Sequence, residues 1–148
     1  MRPKLLMNFL IVAVVIVSAF AIWVRIAPTD TASWHVDPSI KQDKSARSFQ
    51  TNAEFKGIAE GVGLLETDPA LPDERSSVIA GSPEDGFVTY MLRTRTFGYP
   101  DFLSAKWVPN YKGGVLYIYS RSRFGYSDLG RNKRRVLEWI KRLETHVK

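Results

Sequence analysis

The chain has no cysteine among its 148 residues and only two histidines, His35 and His146. The first absence excludes disulfides, thiolate metal sites, a cysteine nucleophile and a lipid attached through cysteine. It leaves the compartment open, because a chain without thiols is equally at ease in oxidising and reducing surroundings. With no second histidine near it, His35 reads as a packing residue and not as a metal ligand. No Gly-x-Ser-x-Gly elbow, phosphate-loop signature or His-Glu-x-x-His helix occurs. Asp37, Asp43, Asp68 and Asp73 have spacings that fit neither a calcium loop nor a catalytic carboxylate pair. No catalytic residue, metal site or cofactor is expected.

Charge is missing from Leu5 to Val24, where only Asn8 and Ser18 are polar. A helix of that length spans roughly 30 Å, the thickness of a bilayer core. Arg2, Lys4 and the amino terminus precede it and Arg25 follows. The excess of basic residues before it places the N-terminus in the cytoplasm and the rest on the far side, the periplasmic face of a bacterial inner membrane. The segment is either an uncleaved anchor or a signal peptide cut after Ala19-Phe-Ala21; the apolar run through Ile26 favours the anchor. Residues 1–26 are thus the cytoplasmic N-terminus and anchor.

Residues 27–50, rich in Pro, Ser and Thr with mixed charge, read as a tether and lead-in. Residues 51–148 form a small domain, for 45% hydrophobic and 24% charged residues are a globular and not a disordered composition. Thr51 to Glu54 has the form of a capping box, and Phe55, Ile58, Ala59, Val62 and Leu65 share a helical face. That helix carries Gly57, Gly61 and Gly63, each costing about 1 kcal/mol against alanine, so it depends on packing or on something approaching the glycines closely. Strands are predicted at Ser76–Ala80, Phe87–Arg95, Phe102–Val108 and Val115–Arg123, joined by short turns as an antiparallel meander. A last helix starts near Ser127 or Asp128. Leu129, Val136, Ile140 and Leu143 form its apolar stripe, flanked by Leu137 and Trp139, with Arg131, Arg134 and Arg135 largely off it. The fold class is α+β: helix, four-stranded antiparallel meander, helix, with both helices on one sheet face.

The whole net charge of +6 comes from Arg121 to Lys148, which hold nine Lys/Arg against three Asp/Glu. Two turns in the chain repeat Phe-Gly-Tyr-x-Asp, Phe97 to Asp101 and Phe124 to Asp128. Each follows a pair of arginines, Arg93 and Arg95 or Arg121 and Arg123. In a meander the two strands bearing them run the same way, so four arginines are expected at one edge beside Asp101 and Asp128. Either these ions pair and fix the turns, or the guanidiniums form an anion site aided by a helix N-terminus. The candidate binding set is Arg93, Arg95, Arg121, Arg123, Asn132 and Arg135. Gly98, Asp101, Gly125, Asp128 and Gly130 are turn and cap positions, with Asp128 expected to meet Arg121 or Arg123. Asp128→Ala should therefore lower stability, and Arg131→Ala should leave it unchanged. Tyr117 and Tyr119 share a strand face open to a covering helix or a protein contact.

The stretch from Ser120 to Arg135 resembles the closing motif Ser-Arg-Ser-Arg-x-Gly-x-Ser-Asp-Leu-Gly-x-Asn-x-x-Arg of the bacterial domain of unknown function (DUF) 1499 family. The Phe97 to Asp101 turn is similar to a second motif of that family, and the resemblance covers roughly residues 75–145. It implies an exported or membrane-associated α+β domain, found mainly in proteobacteria with relatives in plastids, and no assigned activity. The expected function is that of a membrane-tethered envelope module, non-enzymatic, binding an anionic lipid, a small anion or a membrane protein partner. The alternative is an enzyme acting on a small anionic substrate at the same edge, with Asp128 or Asp101 as acid/base. Nucleic acid is disfavoured by the export signal.

Overall fold

The computed structural model describes residues 3–42 and 44–147. Arg2 and the amino terminus, which with Lys4 set the predicted orientation, and the loop carboxylate Asp43 lie outside the described residues. The apolar segment is helix α1, Pro3–Ile26, long and apolar enough to cross a membrane, with a mean hydropathy of 2.8 in its most apolar window. A single turn, α2, follows at Thr31–Trp34.

The sheet has five strands, not four. They are β1 Ser48–Lys56, β2 Glu74–Ser82, β3 Phe87–Thr94, β4 Pro100–Asn110 and β5 Gly113–Ser122. Their order is β1-β5-β4-β3-β2 and every pairing is antiparallel. The predicted meander is therefore present as β2 to β5, and the extra strand is the stretch read as a capped helix. Phe49, Thr51, Ala53 and Phe55 alternate with Gln50, Asn52, Glu54 and Lys56, a period of two as well as a partial period of 3.6. Pairing with β5 along all nine residues decides for the strand. Only Val62–Glu66 remains helical, as α3, because Gly57 (φ 78°) ends the strand in a conformation that also breaks a helix.

The core gathers Phe55, Val88, Tyr90, Leu92, Leu103, Ala105, Trp107, Leu116 and Ile118 from the strands with Leu64 and Leu65 of α3. Helix α4, Arg131–His146, adds Val136, Trp139 and Leu143, all fully buried. At about 1.5–3 kcal/mol per buried large side chain, these three residues dominate its docking. Trp139 is central to this stripe and not beside it, and its indole donates to Thr67 O at 3.0 Å. Leu129 is 96% exposed and lies outside the helix, which starts three residues later than Asp128. Residues 129 and 130 both adopt positive φ, and Asp128 reaches over them to accept the Asn132 amide at 2.9 Å.

Trp107 explains two of the glycines. A Cβ at Gly61 or at Gly114 would lie 2.2 Å from its ring. Gly114→Ala and Gly61→Ala are expected to destabilise by about 1–3 kcal/mol each through overpacking. Gly63, in α3 with no atom within 4 Å of its would-be Cβ, should gain up to about 1 kcal/mol as alanine. Denaturation midpoints of the three variants check the pattern.

The lead-in covers the sheet's other face. Trp34 stacks on Phe102 with ring centroids 4.0 Å apart, and Ser104 Oγ donates to its carbonyl at 3.2 Å. His35 stacks on Phe87 at 3.9 Å and shares a 2.8 Å hydrogen bond with Thr89 Oγ1, a packing role. Asp37 pairs with Lys106, and Gln50 donates to the carbonyls of Pro38 and Ile40. Burial pushes the Asp37 carboxyl up, but the Lys106 ammonium and the Ser39 hydroxyl and amide hold it below its ordinary value. A stretch with tether-like composition is thus fastened across the strands.

Candidate functional site

The expected edge of four arginines and two aspartates does not assemble as drawn. Each strand-end arginine takes a different partner, and neither aspartate pairs with any of the four. Arg121 donates to Ser33 O at 2.8 Å and lies over the rings of Trp34 and Tyr119. Burial lowers its pKa, partly offset by Tyr119. Arg123 donates to Pro28 O at 2.7 Å, Thr29 Oγ1 at 3.1 Å and Ala27 O at 3.4 Å. Both therefore clasp the chain where it leaves α1. The reason is the lead-in: its unpaired carbonyls lie on the face towards which these strand residues point. Tyr119, beneath Arg121, is buried, and the covering element is the protein's own chain.

Asp101 lies on the opposite face and, with Glu74, surrounds Arg135. This guanidinium has no exposed area, and each of its five N–H groups finds an acceptor. Nε and Nη2 donate to the two oxygens of Glu74 at 3.0 and 2.5 Å, and Nη2 also to Asp101 at 2.6 Å. Nη1 donates to Ser120 Oγ at 3.0 Å and Asn132 Oδ1 at 2.5 Å. Asn132 donates onward to Ser122 Oγ and Arg47 O, both at 3.0 Å, tying α4 to the end of β5. Burial pushes the Glu74 carboxyl up, but Arg135, the Leu71 amide and Arg131 more than reverse this and hold it below its ordinary value. Burial opposes charge on Arg135 too, yet Glu74 and Asp101 raise its pKa.

Arg135 thus lies on the buried stripe of α4, at its polar end, and not off it. Its donors are all taken by protein atoms, so it holds the fold and has none left for a ligand. Arg131 is likewise not an idle outer residue. It bonds Glu74 at 2.8 Å and Asp73 at 2.9 Å, which corrects the expectation that its removal is silent. Asp128 accepts only backbone amides, those of Gly130 at 3.0 Å and Asn132 at 2.9 Å. Gly125 carries a positive φ in its turn and its carbonyl accepts from Arg47 at 3.4 Å.

A different group of arginines converges. Arg93 and Arg95 line a cavity of about 540 Å³ together with Arg75 of β2 and Arg25 of α1. Ser76, Ser77, Met91, Thr94 and Gly98 complete its lining, and no carboxylate lines it. Among the described residues none of the four arginines is ion-paired. Arg75 and Arg93 are directly opposite in the β2–β3 register, where like charges oppose one another. Arg93 Nη1 donates to Gly98 O at 2.7 Å, Arg25 Nη2 to Thr96 O at 3.2 Å and Arg95 Nε to Glu74 O at 3.5 Å. Burial, and then the charge of Arg123, lower the Arg93 pKa. Gly98 lets Arg25 in: its φ is 72° and a Cβ would lie 2.9 Å from Arg25 Nε.

Arg25, named only as the residue after the apolar run, and Glu74 and Arg75 are not among the expected site residues. The strand is expected from Ser76, whereas Glu74 and Arg75 already belong to β2. Charged residues at the start of an edge strand look like loop, and alternation assigned one residue further back would have put them on opposite faces.

An antiparallel sheet with a helix docked on one side through a polar network and a fastened lead-in on the other defines a small α+β domain attached to an apolar helix. Residues 28–143 match the family described as "Protein of unknown function (DUF1499)", and the chain belongs to it. The chain is also similar to a crystal structure of protein MLL2253 from Mesorhizobium loti, with 12% identity and a TM-score of 0.49. That similarity covers 69% of this chain and 99% of the other. No curated protein matches the chain.

Proposed function

We propose that this protein is a membrane-tethered envelope module that binds an anionic group without transforming it. The observation that carries this reading is the cavity lined by four arginines and no carboxylate. Four unpaired cations in one concave site repel each other unless an anion joins them, and guanidinium forks suit phosphate or carboxylate oxygens. Helix α1 supports a membrane location, and the basic residues ahead of it support a soluble part on the periplasmic side of an inner membrane. That side disfavours nucleic acid as the anion. The enzymatic alternative needs a free aspartate in a cavity, whereas Asp101 is held by Arg135 and Asp128 by backbone amides.

The test uses the full chain in neutral detergent micelles. Inorganic phosphate should raise the melting midpoint above that in chloride of equal ionic strength. A ligand at a hundredfold its dissociation constant stabilises by about 2.7 kcal/mol. Arg93→Gln should abolish the phosphate increment. An equal response to chloride, or an unchanged response in Arg93→Gln, would refute the proposal.

A further inference from the structure

We infer that the two Phe-Gly-Tyr turns seat the domain in the bilayer interface beside α1, so that the arginine cavity takes the phosphate of an anionic lipid. This rests on the anion-binding reading above and names its ligand. The geometry begins with the end of α1. Val24 is 1% exposed and Ala27 6%, so the last turn of the apolar helix is packed against the domain. Trp23 meets Phe124 edge-on at 5.4 Å, Phe124 neighbours Tyr99 at 6.5 Å, and Tyr99 neighbours Phe97 at 6.1 Å. Phe20, earlier on α1, lines a further cavity with Tyr99 and Phe124. One aromatic row therefore runs from the apolar helix onto both turns. Phe97 is nonetheless 63% exposed, and Tyr126 in the second turn 94%.

Aromatic side chains exposed beside a membrane-crossing helix match the interfacial belt, where one end of the ring is apolar and the other wet. The helix fixes the depth. Arg25 follows the uncharged run by one residue and lies against Gly98, in the middle of the first turn. The cavity it shares with Arg75, Arg93 and Arg95 is thus level with the headgroups if α1 spans the hydrocarbon. Arg123 clasps residues 27–29 and leaves the chain no slack to lift the domain away. Basic side chains at that level are attracted to an anionic leaflet. Both copies of the repeated turn lie at the same end of the sheet and contribute rings to one row.

The experiment places the full chain in nanodiscs of phosphatidylcholine, with or without phosphatidylglycerol. Because the chain lacks cysteine, one spin label can be introduced by Phe97→Cys, and in a second protein by Tyr111→Cys. Tyr111 is 91% exposed in the β4–β5 hairpin, at the opposite end of the sheet. The label at 97 should collide several-fold more with lipid-soluble oxygen than with a water-soluble nickel chelate, and the label at 111 should show the reverse. Phosphatidylglycerol should raise the melting midpoint of the parent and not of Arg75→Gln. Equal water access at both positions overturns the seating and leaves the anion site standing. A midpoint raised by inorganic phosphate but not by phosphatidylglycerol overturns the lipid as ligand. No response to either anion removes the anion-binding reading itself.

Discussion

Glu74→Ala is expected to destabilise the domain by about 3–5 kcal/mol, the penalty for leaving a buried charge without its partner. Glu74 is 4% exposed and its carboxylate accepts from Leu71, Arg131 and twice from Arg135. Without it the fully buried Arg135 keeps, among the described residues, Asp101 alone as an ionic partner. Asp73→Ala removes the exposed half of the Arg131 pairing and should cost no more than about 1 kcal/mol. Chemical denaturation of the full chain in detergent measures both. A pH series gives the same network a second reading. The Glu74 carboxyl is held below its ordinary value of 4.5, so near that value the unfolded chain binds the proton more readily than the folded one. Its contribution is present in full above the ordinary value and is lost as pH falls through the lower folded value. Stability should therefore drop on acidification below about pH 4.5. Glu74→Gln should start lower and decline less steeply.

Arg75→Glu is expected to abolish the phosphate response while leaving the domain as stable as the parent or slightly more so. The substituted carboxylate would stand opposite Arg93 across β2 and β3, turning a repulsive cross-strand pair into an attractive one. Such pairs are worth about 0.2–1 kcal/mol, and the internal anion then occupies the site in place of the external one. Binding sites commonly trade stability for function in this way. A loss of stability in Arg75→Glu would mean that these arginines support the fold, and the cavity would lose its claim to be a site.

Much of the sheet was legible as apolar and β-branched runs between turn residues, most strongly in β5, where Leu116 and Ile118 alternate with Tyr117 and Tyr119. The expected strands Phe87–Arg95 and Val115–Arg123 overlap β3 and β5, with ends shifted by up to two residues. The first strand was not legible, since Thr51, Glu54, Phe55 and Ile58 satisfy a helical pattern while Phe49 to Phe55 satisfy a strand pattern. Only β5, some sixty residues away, decides between them. The site was legible in kind but not in membership. Arginine beside glycine turns pointed to a cationic edge, and Arg93 and Arg95 do line a cationic cavity. Arg121 and Arg123 were diverted because the lead-in, loop-like in composition, lies across their face and presents bare carbonyls. Arg135 looked like surface charge because its partner Glu74 lies 61 residues earlier, and nothing local in α4 signals a buried ion.

Four particular arginines, Arg25, Arg75, Arg93 and Arg95, are expected to meet an external anion, and no others. Arginine Nε–Hε resonances of the full chain in neutral micelles, followed while inorganic phosphate is added, test it most directly. Saturable shifts are expected at Arg25, Arg75, Arg93 and Arg95, with Arg121, Arg131 and Arg135 unmoved. Shifts spread evenly over exposed arginines, or confined to Arg121 and Arg123, would contradict it.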